Sequence, residues 1–129
     1  MFDATKRTAS DIKEMKIRGA GRIARAGASA MEDFAESYRG SSLEGFKKDL
    51  DSAKDILLGS RPTAVSLWNG VQACLKDVDK ASSLEEARGS VVRNAKAFVE
   101  TSNNAVDAIA KIGAKRVEKG DTIMTHCNS

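Results

Sequence analysis

The stretch Arg18-Gly19-Ala20-Gly21-Arg22 sets two guanidinium groups around a pair of glycines, directly ahead of a segment with helical periodicity. The first turn of a helix carries free backbone N–H groups, and glycines let that backbone come close to a bound anion. A helix start normally carries Asp, Ser or Thr, because the positive end of the macrodipole repels a cation by about 0.3–1 kcal/mol. Arg61-Pro62-Thr63 repeats the anomaly ahead of a second periodic segment, with Pro62, the only proline, suited to a first helical position. Two arginine-bearing helix starts therefore read as two places that hold phosphate. The competing readings are a plain turn with solvated arginines at Arg18 and Arg22, and at Arg61 a long side chain lying along a neighbouring helix.

Cys127 is the other candidate for chemistry. A nucleophilic or proton-transferring thiol needs a lowered pKa and access to substrate. Its neighbour His126 is a poor direct partner, since adjacent residues of a strand point to opposite faces. Without further information the plainer reading is a small buried hydrophobe. Cys74 falls inside an apolar helical stripe and reads as core. His126, the single histidine, has no cluster of ligands around it, so a metal site is rejected and no cofactor is called for.

The elements that must position these residues are helical. A first helix over about 3–14 turns Ala9, Ile12 and Met15 inward. A second, after the glycine segment, places Ile23, Gly27, Ala30, Met31, Phe34 and Tyr38 on one face, with small residues that admit a close neighbour. Ser41 and Glu44 form a capping box for a third helix lined by Leu43, Phe46, Leu50, Ala53 and Leu57, stopped by Gly59. The fourth starts at Pro62 and buries Ala64, Leu67, Trp68, Val71, Cys74, Leu75 and Val78. Ser83 and Glu86 cap the longest, whose stripe runs Leu84, Ala87, Val91, Ala95, Phe98, Ser102, Val106 and Ile109 to Gly113. This predicts an all-α bundle of about five helices over residues 1–119. Residues 120–129 break the pattern: Gly120-Asp121 is a turn, and Thr122-Ile123-Met124-Thr125-His126-Cys127 reads as a buried strand. One strand cannot satisfy its own ladder. The expectation is a helical domain cut just after it enters an α/β domain, a Rossmann-like sheet whose strand ends carry ligand sites.

Composition narrows the function classes. With 41% hydrophobic and 30% charged residues the chain suits one ordinary folded domain. No apolar run approaches the roughly 18 residues that span a bilayer, and Met1-Phe2-Asp3-Ala4 lacks the regions of a secretion signal. Two cysteines make no disulfide framework, so a cytoplasmic location is expected. The net charge of +3 spreads 21 basic residues among 18 acidic ones, without the basic stripe and aromatic partners of a nucleic-acid binder.

Three segments taken together, Ile17-Arg18-Gly19-Ala20-Gly21-Arg22-Ile23-Ala24, Ser60-Arg61-Pro62-Thr63-Ala64-Val65-Ser66-Leu67 and Thr125-His126-Cys127-Asn128-Ser129, resemble the N-terminal part of the initiation-factor-2B-related isomerase family in order and spacing. Arg-Gly-Ala-Gly followed by His-Cys-Asn-Ser is similar to its archaeal ribose-1,5-bisphosphate isomerase branch; the methylthioribose-1-phosphate branch more often reads Arg-Gly-Ala-Pro and His-Cys-Asn-Thr-Gly. The resemblance implies a helical N-terminal domain joined to a Rossmann-like C-terminal domain, in a homo-oligomer. It implies that Arg18, Gly19, Ala20 and Gly21 bind a substrate phosphate, that Arg61, Asn128 and Ser129 contact the substrate, and that Cys127 moves the proton between carbons. The family's catalytic Asp and its substrate-binding Lys residues belong to the C-terminal domain and have no counterpart here, so this chain alone is expected to be inactive. The implied activity is aldose–ketose isomerisation of a phosphorylated pentose, ribose 1,5-bisphosphate to ribulose 1,5-bisphosphate, in AMP salvage. The alternatives are methylthioribose-1-phosphate isomerisation and a non-catalytic regulatory subunit.

Overall fold

The computed structural model describes residues 1–126. Five α-helices follow one another: α1 (Asp3–Lys13), α2 (Ala20–Ser37), α3 (Leu43–Ser60), α4 (Val65–Leu75) and α5 (Leu84–Ala114), with a 3-10 turn at Val78–Lys80 between the last two. The all-α reading holds, and the expected stripes largely become the core.

α2 is the central helix and packs against all four others. Its apolar face, including Ile23, Met31 and Phe34, is buried, and Phe34 stacks between Phe2 and Phe46. The small residues act as expected. A Cβ built on Gly27 would lie 2.6 Å from Leu67 Cδ1, and one on Gly70 would lie 2.6 Å from the carbonyl oxygen of Ala24. α2 and α4 thus cross nearly in backbone contact. A leucine terminus can rotate away, whereas a helical carbonyl cannot. Gly70→Ala should therefore cost about 1–3 kcal/mol by overpacking. Urea unfolding should show a lower midpoint with an unchanged slope, and an unaltered midpoint would show that the crossing is looser than described.

Capping follows the sequence with a shift of one residue. Ser42, not Ser41, caps α3 by accepting from the Gly45 N–H at 3.1 Å. Ser83 caps α5 by accepting from the Glu86 N–H at 3.1 Å, while the Glu86 carboxylate accepts from the N–H and hydroxyl of Ser82, both at 2.8 Å. Those donors, the Ser82 backbone foremost, hold the Glu86 carboxyl below its ordinary range.

Other expectations are corrected. Gly59 does not stop α3, which runs on through Ser60. Pro62 does not open α4: it occupies a tight turn in which the Ala64 N–H donates to the Arg61 carbonyl at 3.0 Å, a position where proline's fixed φ is equally suited. Met15 is exposed rather than inward, because α1 ends at Lys13 and Met15 takes a positive φ of 60°. Trp68 is 53% exposed, since α4 buries Leu67, Gly70, Val71 and Cys74 and turns its flank outward. The stripe of α5 is buried only as far as the bundle reaches; Val106 and Ile109 stand in solvent. Residues 122–126 form no strand but run as exposed irregular chain, as an apolar segment with no ladder partner must. Cys127, the last residue of the expected strand, lies outside the described residues.

Candidate functional site

The α1–α2 and α3–α4 junctions meet at one end of the bundle and enclose a cleft of about 730 Å³. The first contributes Met15, Arg18, Gly19, Ala20, Arg22 and Ile23; the second contributes Arg61, Thr63, Ala64, Val65 and Ser66. The two arginine segments, read from sequence as two places, share one site. Tertiary packing decides this, through the close crossing of α2 and α4.

The backbone gives the cleft its electrostatic character. Gly19 is the N-cap of α2 with φ 92° and ψ 134°, a conformation open to glycine and strained for other residues. Ala64 is the N-cap of α4. Neither offers a side-chain cap, and neither helix has an acidic residue in its first turn. The remaining α-helices differ: α1, α3 and α5 all carry an acid in the first turn, and α3 and α5 are capped by serine as well. Among the described residues, the two helices that open onto the cleft thus have no partner for their first-turn N–H groups or for the positive ends of their dipoles.

Around these helix starts stand Arg18, Arg22 and Arg61, all exposed, and none pairs with a carboxylate among the described residues. Three unpaired guanidinium groups and two sets of free amides suit a phosphorylated ligand, because arginine presents a planar fork of donors to phosphate oxygens. A second cavity, of about 680 Å³ beside the start of α1, lacks this bias, since Arg7 and Arg39 share its wall with Asp3 and Asp49.

Individual residues depart from the sequence reading in instructive ways. Arg18 does lie just ahead of a helix start, where its charge is disfavoured without an anion. Arg61 does not: it is the residue that ends α3, and a cation is welcome at that end of a helix. Its contribution rests on the cleft it borders and not on an unfavourable dipole. Gly21 is not on the cleft wall; a Cβ there would sit 3.1 Å from Nη1 of Arg25, which donates to Ser102 Oγ at 3.0 Å. That glycine makes room for Arg25 to reach α5. Thr63 and Ser66 add hydroxyl-bearing residues to the wall that sequence reasoning passed over, although both lie within the quoted motif.

Cys127, Asn128 and Ser129 lie outside the described residues. Cys74 is fully buried, and burial pushes its thiol up to about 12, with Glu32 adding to the shift, so it stays protonated and serves as core. Among the described residues there is no group of three or more His, Cys, Asp or Glu side chains that could hold a metal ion. No helix among them is long and apolar enough to cross a membrane.

Comparison with known proteins places these features in a family. The chain is 43% identical over 128 residues to ribose 1,5-bisphosphate isomerase of Methanocaldococcus jannaschii, covering 99% of this chain and 40% of the relative. It is 41% identical over 125 residues to the enzyme of the same name from Thermococcus kodakarensis, covering 94% of this chain and 39% of the relative. Among solved structures, 5-methylthioribose 1-phosphate isomerase from Pyrococcus horikoshii OT3 superposes with a TM-score of 0.81 at 27% identity, over 86% of this chain and 32% of that one. The chain therefore spans about two-fifths of the length of the curated relatives it matches. The model of the initiation factor 2 subunit family matches residues 16–129, from just before the arginine–glycine motif to the final residue, and the chain belongs to that family.

Proposed function

We propose that this chain is the N-terminal, substrate-anchoring part of an aldose–ketose isomerase that converts ribose 1,5-bisphosphate into ribulose 1,5-bisphosphate. Residues 1–119 form the helical domain, and 120–129 lead into an α/β domain that supplies the rest of the site. The observation that carries this reading is the convergence of two uncapped, acid-free helix starts and three unpaired arginines on one cleft. Each phosphate of the substrate bears roughly −1.5 to −2 charges at neutral pH, so such a cleft can supply much of the binding energy and fix the sugar in place. Arg18, Gly19, Ala20 and Gly21 hold one phosphate, with Gly21 contributing through its first-turn backbone N–H. Arg61 contacts the substrate from the facing junction.

The chemistry is a proton transfer between neighbouring carbons. The C1 phosphate stays in place: the ring C1–O4 bond opens with a proton delivered to O4, and a base takes the C2 proton to leave an enol phosphate across C1 and C2. C1 is then reprotonated as the C2 hydroxyl loses its proton to become a ketone. Cys127 is assigned the proton at carbon, with Asn128 and Ser129 against the substrate, and a carboxylic acid from the α/β domain serves the oxygens. The reaction is redox-neutral within one molecule and consumes no external electron acceptor. The complete enzyme works as a homo-oligomer in the cytoplasm.

One feature favours a second substrate. Met15, Ile23 and Val65 give the cleft an apolar portion that would accept the methylthio group of methylthioribose 1-phosphate. Assaying the complete polypeptide with both sugars separates the readings. The expected result is a much higher kcat/KM for ribose 1,5-bisphosphate, and turnover of methylthioribose 1-phosphate alone would reverse the assignment. The higher identity to the bisphosphate isomerases, 43% against 31% for a putative methylthioribose-1-phosphate isomerase, supports the first outcome.

A further inference from the structure

The second cavity, of about 680 Å³, lies at the far end of α2 from the arginine cleft, about 27 Å along the helix at its usual rise per residue. The start of α1 supplies Asp3 and Arg7, the chain leaving α2 supplies Arg39, and α3 supplies Asp49. Charges of both signs therefore surround one hollow. Asp3 and Arg7 stand four residues apart on α1, the spacing at which such side chains pair on a helix. Yet neither they nor Arg39 and Asp49 form an ion pair among the described residues.

One wall of this hollow is fixed by the core. Tyr38 is 4% exposed, and its ring packs against Phe34 and Phe46 at centroid distances of 5.8 and 5.0 Å. Its hydroxyl donates to Asp49 Oδ2 at 3.3 Å. A Cβ on Gly40 would lie 2.5 Å from Tyr38 Cζ, and one on Gly45 would lie 3.2 Å from the hydroxyl oxygen. The two glycines thus clear the space in which the tyrosine steadies the carboxylate. Burial, with Asp49 adding to it, pushes the tyrosine pKa up, so the hydroxyl stays a neutral donor. Asp49 Oδ1 accepts no hydrogen bond among the described residues.

We infer that this cavity binds a small zwitterion of the amino-acid class, its carboxylate against Arg7 and Arg39 and its ammonium group against Asp49. A ligand of one sign suits only half of the wall: a phosphate meets Asp3 and Asp49, and a simple amine or metal ion meets the two arginines. A ligand carrying both signs suits all four charges, and the planar guanidinium forks match a carboxylate. Met1 and Ala4 give the hollow an apolar portion that an aliphatic side chain can cover. The arginine cleft has no acid on its wall, so a sugar bisphosphate belongs there and is disfavoured here. This second site therefore takes a different ligand, and it does so whether or not the proposed isomerase activity holds.

The test is a titration of the 129-residue chain with L-leucine, and separately with glycine, followed by backbone amide shifts. Saturable shifts at residues 3–7 and 37–40 are expected, with those of the arginine cleft unmoved. Isocaproate is leucine without its ammonium group, and isoamylamine is leucine without its carboxylate. Each should bind at least about tenfold more weakly than leucine, the worth of one charge-assisted contact. Arg39→Ala should weaken leucine by a similar factor; Arg39 is exposed and unpaired among the described residues, so the thermal midpoint of the unliganded chain should not move. Asp49→Asn keeps an acceptor for the Tyr38 hydroxyl while removing the charge, and should weaken leucine but not isocaproate. Absence of saturable shifts at both segments with either amino acid overturns the inference. So does equal binding of leucine and isocaproate, which would make this an anion site, or leucine binding undiminished by Arg39→Ala.

Discussion

Cys127→Ser in the complete polypeptide is expected to lower turnover of ribose 1,5-bisphosphate by about 10²–10⁴-fold, the range removed with a positioned acid–base group. The dissociation constant for the sugar should stay nearly constant, because the anchoring groups lie at the α1–α2 and α3–α4 junctions and are untouched. Serine keeps the size of the side chain but is far too weak an acid to exchange a proton with carbon near neutral pH. Loss of kcat with KM preserved marks a group that acts only in the transition state. Undiminished turnover would remove the thiol from the mechanism. A parallel loss of affinity would make it a binding residue instead. Cys74 is the internal control: buried against α2, its thiol bonding the Gly70 carbonyl at 3.2 Å, it can contribute to stability but not to proton transfer.

The second large effect is on affinity. Arg18→Ala should weaken binding of the bisphosphate by about 10–100-fold, the worth of a charge-assisted hydrogen bond to phosphate. Arg18→Lys should recover only part, since an ammonium group lacks the planar fork. Arg18 is exposed and makes no ion pair among the described residues, so thermal stability should change by less than about 0.5 kcal/mol. Titration calorimetry beside a melting curve separates the two effects. Arg61→Ala should act in the same direction, and the double substitution should cost less than the sum if both guanidinium groups serve one anion. Unchanged affinity on removing Arg18 would contradict the assignment of the cleft.

Much of this was readable from the chain alone. The core of α2 follows from the spacing of Ile23, Met31 and Phe34, and the smallness of Gly27 anticipates a close helix crossing, whereas Gly70, its counterpart on α4, was passed over. The serine caps were legible to within one residue, because Ser41 and Ser42 are both competent and only the geometry chooses. Where sequence reasoning failed, a tertiary fact had intervened. Trp68 is apolar and correctly spaced for a core, yet the bundle reaches only one flank of α4. The stripe of α5 continues in perfect register past the point where any described partner covers it. An apolar run of strand-like composition finds nothing to pair with at residues 122–126.

The site was legible in its parts and not in its assembly. Arg18 and Gly19 announce an anion-binding start by type and order. Arg61 announced itself for a mistaken reason, since it closes α3 instead of opening α4. That these segments face each other across a single cleft depends on how α2 meets α4, which no local pattern encodes. The absence of acids from the first turns of α2 and α4, against their presence in the other three helices, was visible in the sequence and becomes meaningful only once both starts share a cleft.

The central claim is that this cleft receives a sugar phosphate, and backbone amide shifts of the 129-residue chain titrated with ribose 1,5-bisphosphate test it most directly. Saturable shifts concentrated at Gly19–Ile23 and Ala64–Leu67, and lost with Arg18→Ala, are the predicted result. Shifts scattered over the lysines of α3, or none at either junction at millimolar ligand, would contradict it.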